Sequence, residues 1–236
     1  YANELADLLL NNKSIYSFGA ACDGDGDRNM ILGRNCFVNP SDSLAMLAAN
    51  HKCVPAYSEG LQGIARSMPT STAVDLVAKD LEIPCYETPT GWKFFGNLLD
   101  AGKISICGEE SFGTGSNHVR EKDGLWAVLY WLQILSKERK SVAELMNSHW
   151  NRYGRNYYTR HDYENISSEA ATLLYDRVES MMPKIKAIHI AGRSVSLVDN
   201  FTYNDPIDGS VSNRQGLRII LNDSSRIILR LSGTGT

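Results

Sequence analysis

One rhythm recurs along the first part of this chain: a short apolar stretch, a polar loop, then a segment with helical spacing. Phe18 to Ala21 runs into an acidic loop, and a helix is expected from about Ser41 to Asn50. Gly63 to Met68 leads into Pro69-Thr70-Ser71, after which Val74, Val77, Ala78 and Leu81 recur at i, i+3, i+4 and i+7, one face of a helix. Ile83 to Tyr86 runs into Thr88-Pro89-Thr90-Gly91, and Ile104 to Cys107 into Gly108-Glu109-Glu110-Ser111. Strands alternating with helices favour parallel pairing, because a parallel pair needs a long crossover and a helix supplies one. The expected fold class is α/β: a mixed, mainly parallel sheet with helices on both faces. Ligands of such sheets collect beyond the carboxyl ends of the strands, and each polar loop named here lies at such an end.

Farther on, Leu125 to Leu135 is apolar all round, the pattern of a buried helix. Ser141 and Glu144 are spaced as a capping box for the next helix, and Gly154 can stop it. The polar and aromatic segment from Asn151 to Asp162 is a candidate linker. Beyond it a helix is expected from Ser167 to Met182, ended by Pro183. Strands are expected at Ile188 to Ala191, Val195 to Val198, Leu217 to Leu221 and Arg226 to Leu231, the last two joined by the turn Asn222-Asp223-Ser224-Ser225. A helix on an antiparallel sheet makes a smaller α+β domain.

Composition narrows the function. With 236 residues, 43% hydrophobic, there is enough apolar material for a sizeable core. The net charge of -3 provides no global basic field, so neither nucleic acid nor an anionic membrane is an expected partner. The longest apolar run is too short to span a bilayer. Five scattered cysteines without a Cys-x-x-Cys pair suit free thiols in a reducing, cytoplasmic setting. The chain begins at Tyr1 without a methionine and ends just after a Gly-rich turn, which reads as a piece of something longer.

Asp23-Gly24-Asp25-Gly26-Asp27-Arg28 carries the clearest chemistry. Three carboxylates within five residues repel one another, and the intervening glycines let the backbone bring them together. A hard divalent cation with oxygen ligands offsets that repulsion. An EF-hand needs glycine at its sixth position and glutamate at its twelfth, where Arg28 and Arg34 stand instead. A solvated turn is the other reading. Arg28 beside a cation suits an arriving phosphate, since both positive groups stabilise phosphoryl oxygens.

The string from Phe18 to Gly33 resembles the metal-binding loop of the α-D-phosphohexomutases, phosphoglucomutases in particular. The likeness continues through Thr88 to Lys93, Gly108 to Gly113, Arg120 to Gly124 and Arg230 to Thr236, so it covers nearly the whole chain. It implies magnesium on Asp23, Asp25 and Asp27, with Asp27 also near the substrate and Arg28 on the transferring phosphoryl group. It implies that Glu109 and Ser111 contact hexose hydroxyls, that Thr90 and Gly91 belong to a substrate loop, and that Lys122 sits near the reacting oxygens. Ser232, Gly233 and Thr234 would open the loop that grips the non-reacting phosphate. Read without the family, Gly108 to Gly113 is a strand-end turn, Arg120 to Gly124 is a solvated charge run, and Arg230 to Thr236 is a generic turn or an anion nest. Arg66 to Ser71 also matches and is read as structural. Gly113-Thr114-Gly115 fails as a nucleotide loop because His118 stands where a third glycine belongs. His118 is either a proton shuttle or a plain surface histidine.

The implied activity interconverts glucose 1-phosphate and glucose 6-phosphate through a phosphoserine enzyme and a glucose 1,6-bisphosphate intermediate. The resemblance implies four domains, with residues 1–50 the end of domain two, 51–150 domain three and 151–236 most of domain four. No stretch resembles the family's serine-nucleophile loop, so the 236-residue chain alone is expected to bind magnesium weakly and catalyse nothing. The missing N-terminal domains would be its partner. Parafusin-like phosphoglycoproteins of regulated secretion are a non-catalytic alternative, and an Asp-x-Asp phosphatase lacks its further motifs.

Overall fold

The acidic loop is the turn of a β-hairpin, whereas the strand-and-helix rhythm around it suggests a strand-to-helix connection. The computed structural model describes residues 2–11 and 13–232. Helix α1 (Asn3–Leu9) precedes strands β1 (Phe18–Cys22), β2 (Asn29–Gly33) and β3 (Cys36–Val38), which form a separate antiparallel sheet in the order β1-β2-β3. Cys22 pairs with Asn29, so residues 23–28 are the whole connection. β2 left no periodic trace in the sequence. Four of its five residues are buried, which erases the alternation that marks a half-exposed strand.

The central layer follows the expected rhythm. Helix α2 (Pro40–Ala49) starts where Asn39 accepts a hydrogen bond from the Ser41 amide and Pro40 has no amide donor to satisfy. Then come β4 (Ile64–Ser67), α3 (Ala73–Asp80), β5 (Cys85–Thr88), α4 (Trp92–Asp100), β6 (Ile106–Gly108) and β7 (Thr114–Ser116). The sheet order is β5-β4-β6-β7, with β4 parallel to both β5 and β6, and β7 antiparallel to β6. Helices cover both faces. Ile64 and Ile106 join a core with α2 and α3, while their neighbours Ala65 and Cys107 join Phe95 and Leu98 of α4. Alternation along a strand requires this division.

Helix α5 (Gly124–Glu138) corrects the expectation of a helix buried all round. Ala127, Tyr130, Trp131 and Ile134 are buried, but Leu125, Leu129 and Leu132 are 63%, 54% and 43% exposed. Helix α6 (Val142–Tyr153) has the expected capping box at Ser141 and Glu144, and Gly154 caps its end. The chain is still tethered beyond it. The Tyr158 hydroxyl donates to buried Asp42 at 2.6 Å, as does the Trp150 indole at 3.2 Å.

Within α6, His149 is 6% exposed, and burial, then Arg152, push its pKa from 6.5 down to about 4. Between those values the unfolded chain binds a proton that the native state refuses, so stability rises with pH across the window and is level above it. Replacing His149 by glutamine should flatten a slope on the order of 3 kcal/mol between pH 4 and 6.5 in denaturant titrations. An unchanged acid limb would contradict this.

A second unit comprises residues 159–236. Helix α7 (Ser168–Ser180) is followed by α8 (Met182–Lys186), because Pro183 sits in the first turn of a new helix instead of ending the old one. Next come β8 (His189–Ile190), β9 (Arg193–Asn200), the small pair β10 (Tyr203–Asn204) and β11 (Val211–Ser212), then β12 (Leu217–Leu221) and β13 (Arg226–Leu229). β13, β12, β9 and β8 form an antiparallel sheet in that order. Val195, Ile219 and Leu221 make its core with Ile185 of α8. Arg218 clamps Asp199 with two bonds of 2.8 and 2.6 Å and lies over Phe201.

All five cysteines are free. Among the described residues, no helix is long and apolar enough to cross a membrane.

Candidate active site

The hairpin turn gathers its carboxylates. One oxygen each from Asp23, Asp25 and Asp27 lies within 4.8 Å of the others. Gly26, at φ +77°, allows the bend, and its amide donates to Asp23 O at 3.1 Å. The Arg28 amide donates to Asp23 Oδ1 at 3.0 Å, and this bond is the chief cause holding Asp23 below its ordinary pKa. The Arg28 guanidinium stands 3.7 Å from Asp23 and 3.8 Å from Asp27, half-exposed. Three carboxylate oxygen donors fit a hard divalent cation, which takes oxygen ligands.

Backbone contacts fix this turn to the loop after β6. Asn29 N–H donates to Phe112 O at 2.9 Å, and the Asn29 side chain reaches the same carbonyl at 3.1 Å. Arg28 bridges Gly113, and the Gly124 amide donates to Gly26 O at 2.9 Å. A Cβ on Gly124 would lie 2.6 Å from Arg28 O and 2.7 Å from Gly26 O, so only glycine permits this approach.

Lys122 joins the turn from the segment before α5, its Nζ 2.5 Å from Asp27 Oδ2. The Lys122 stem and the Glu109 carboxylate flank Gly113: an added Cβ there would meet Lys122 Cδ at 2.7 Å and Glu109 Oε2 at 3.0 Å. Glu109 is 8% exposed. Burial, then Glu110, push its pKa up, while Lys122, the Gly91 amide and Ser111 work to lower it. Ser111 Oγ lies 3.4 Å from Glu109 Oε2. Thr90, next to Gly91, holds a buried hydroxyl oxygen with no hydrogen-bond partner among the described residues. An orphaned hydroxyl beside a buried carboxylate suits a polyhydroxylated ligand.

Glu110 points elsewhere. Ser67 Oγ donates to it at 2.8 Å, and its own amide donates to Thr70 Oγ1 at 2.8 Å. The Arg66 to Ser71 segment therefore buttresses the loop. Asn29 and Gly124 escaped the sequence reading because their work is long-range and no local spacing signals it. Both ring nitrogens of His118 bond within the protein, to Ser116 and Asp123. Ser232 lies in the second unit, and Gly233 and Thr234 fall outside the described residues.

The raised pKa of Glu109 carries a stability consequence. Below its ordinary value of 4.5 the buried group is protonated in both states, and its contribution is lost as pH rises through the higher folded-state value. Glu109→Gln should therefore melt higher than wild type at pH 7, with the advantage gone below pH 4.5. Equal melting temperatures at pH 7 would contradict the assignment of burial as the dominant influence.

Comparison with known proteins places this geometry in a family. Residues 40–153 match "Phosphoglucomutase/phosphomannomutase, alpha/beta/alpha domain III", and residues 155–236 match "Phosphoglucomutase-1, C-terminal domain". Phosphoglucomutase of Rhizobium radiobacter is 57% identical over the whole of this chain, and Phosphoglucomutase-1 of Oryctolagus cuniculus 54%. This chain spans 43% of the length of each. The solved structure of the exocytosis-sensitive phosphoprotein pp63/parafusin, a phosphoglucomutase from Paramecium, is 51% identical, with a TM-score of 0.88 over all of this chain and 42% of that one. The chain belongs to the phosphoglucomutase/phosphomannomutase family.

Proposed function

We propose that this chain is the cation- and sugar-binding part of a phosphoglucomutase that interconverts glucose 1-phosphate and glucose 6-phosphate. The observation that carries this reading is the convergence of Asp27, Lys122 and Glu109, which sets a three-carboxylate turn beside a buried sugar-type acceptor. Residues 1–50 then close domain two of a four-domain protein, residues 51–150 form domain three, and residues 151–236 form most of domain four.

Asp23, Asp25 and Asp27 would hold magnesium, which supplies positive charge to the phosphoryl oxygens when bound. Arg28 and Lys122 face the same place and stabilise the charge that spreads over those oxygens in transfer. Glu109 accepts hydrogen bonds from sugar hydroxyls, and Ser111 and Thr90 can donate or accept beside it. Ser232, Gly233 and Thr234 are assigned to the non-reacting phosphate. The reaction runs through a phosphoserine and glucose 1,6-bisphosphate, with the serine supplied by the part of the relatives' length that this chain does not span. Free thiols suit a cytoplasmic enzyme.

The test is a coupled assay for glucose 6-phosphate made from glucose 1-phosphate. The full-length protein should turn over, and the 236-residue chain alone should not. Turnover by the chain alone, or none by the full-length protein, would refute the proposal. A role in secretion attaches to the parafusin likeness. It predicts that a serine-to-alanine change at the nucleophile abolishes turnover and leaves secretion intact.

A further inference from the structure

Lys122 lies in the loop between β7 and α5, and one side chain spans that loop from start to finish. His118 Nδ1 is 2.5 Å from Ser116 Oγ at the end of β7, and its Nε2 is 3.0 Å from Asp123 Oδ2 at the foot of α5. Its ring stacks on Trp126 at 5.4 Å between centroids and 17° between planes.

The surrounding bonds fix which nitrogen carries the proton. Ser116 is fully buried, and its oxygen accepts from the Tyr57 hydroxyl at 2.8 Å and from the His118 amide at 3.3 Å. A serine oxygen has two acceptor positions and one proton. With both acceptor positions used, the Ser116 proton goes to Nδ1, and Nε2–H donates to Asp123. Asp123 is pulled the same way. Burial works to raise its pKa, but the Trp126 amide and His118 outweigh it and hold the carboxyl below its ordinary value. Asp123 also caps α5, accepting from Trp126 N at 2.8 Å, and its amide donates to Thr114 O at 2.9 Å.

We propose that His118 is a positioning residue: it braces the loop from Ser116 to Asp123 so that Lys122 is held on Asp27 beside Glu109. The neighbouring backbone shares this task, since the Asp123 amide donates to Thr114 O across the foot of the loop. Lys122 itself is fixed by its bridge to Gly115, and Arg120 O accepts from the Trp92 indole at 3.0 Å, but only His118 among the described residues links the two ends of the loop through one side chain. Its kinetic consequence rests on the mutase reading.

In the full-length protein, His118→Ala should lower kcat about tenfold with little change in KM, because a displaced Lys122 weakens the transition state more than the ground state. His118→Gln keeps a donor near the Nε2 position and should restore most of the rate; His118→Asn, which reaches only Ser116, should not. In a Lys122→Ala background, His118→Ala should cost less than about twofold. An equal cost in both backgrounds, or a glutamine variant no better than alanine, overturns the proposal. Hydrogen exchange of the 117–123 peptide reads the brace without any substrate. It should quicken in His118→Ala while α5 stays protected, and unchanged exchange overturns the proposal whatever the turnover. Failure of the wild-type protein to act on glucose 1-phosphate would instead overturn the mutase reading.

Discussion

Replacing Arg66 by alanine is expected to destabilise the first unit by about 3 kcal/mol, the lower end of the range for breaking a buried ion pair. Arg66 is 4% exposed and sits between two carboxylates. Its Nε and Nη2 reach Asp75 at 2.5 and 2.7 Å, its Nη1 reaches Glu87 at 2.9 Å, and weaker bonds run to the Ser67 and Thr70 carbonyls. Burial works against its charge, and Asp75 and then Glu87 overcome that cost. Deleting the guanidinium leaves two carboxylates facing each other, and their partial exposure, 34% and 27%, keeps the loss at the lower end. For a unit of this size the melting temperature should fall by roughly 10 °C. Lysine should recover only part, since it cannot fork onto Asp75 while reaching Glu87. The same change loosens Ser67 and Thr70, which hold Glu110, so activity should fall with stability. A loss under about 1 kcal/mol in urea titration would mean that the pairs are replaceable by water.

Replacing Asp25 by alanine in the full-length protein should lower turnover of glucose 1-phosphate by about a hundredfold or more. A cation that polarises a phosphoryl group supplies several kcal/mol, and each 1.4 kcal/mol is about tenfold in rate. Asp25 is the cleanest of the three to test. Asp23 also receives the Arg28 amide, and Asp27 also pairs with Lys122, so their loss would disturb more than the cation. The sugar-phosphate KM should move less than kcat, because the proposed sugar contacts are Glu109 and Ser111, not the turn. A variant within about threefold of wild type in steady-state assays would remove the turn from the chemistry.

Local chemistry was legible in the sequence where one segment decides it. The Val74 to Leu81 periodicity gave α3, the Ser141 and Glu144 spacing gave a true capping box, and Asn222 to Ser225 gave the turn between β12 and β13. The three aspartates also read correctly as a cluster, since one short turn with glycines between them can bring them together. What escaped depends on partners far along the chain. β7 pairs with β6 although Thr114-Gly115-Ser116 has no strand character, because Gly115 packs where no side chain fits against Trp92 and Glu121 O. The hairpin's own sheet was hidden because β2 is buried like a central strand. Leu125, Leu129 and Leu132 look like core by composition, yet face outward here. Pro183 marked a boundary correctly but not its kind, since proline favours a helix start as much as it forbids a helix interior.

The most direct test is turnover of glucose 1-phosphate by the full-length protein before and after chelation of divalent cations. Chelation should abolish glucose 6-phosphate formation and added magnesium should restore it in wild type, while the Asp25→Ala protein should stay slow at the same magnesium concentration. Turnover that survives chelation, or an Asp25→Ala protein that responds like wild type, would contradict a cation site at the acidic turn.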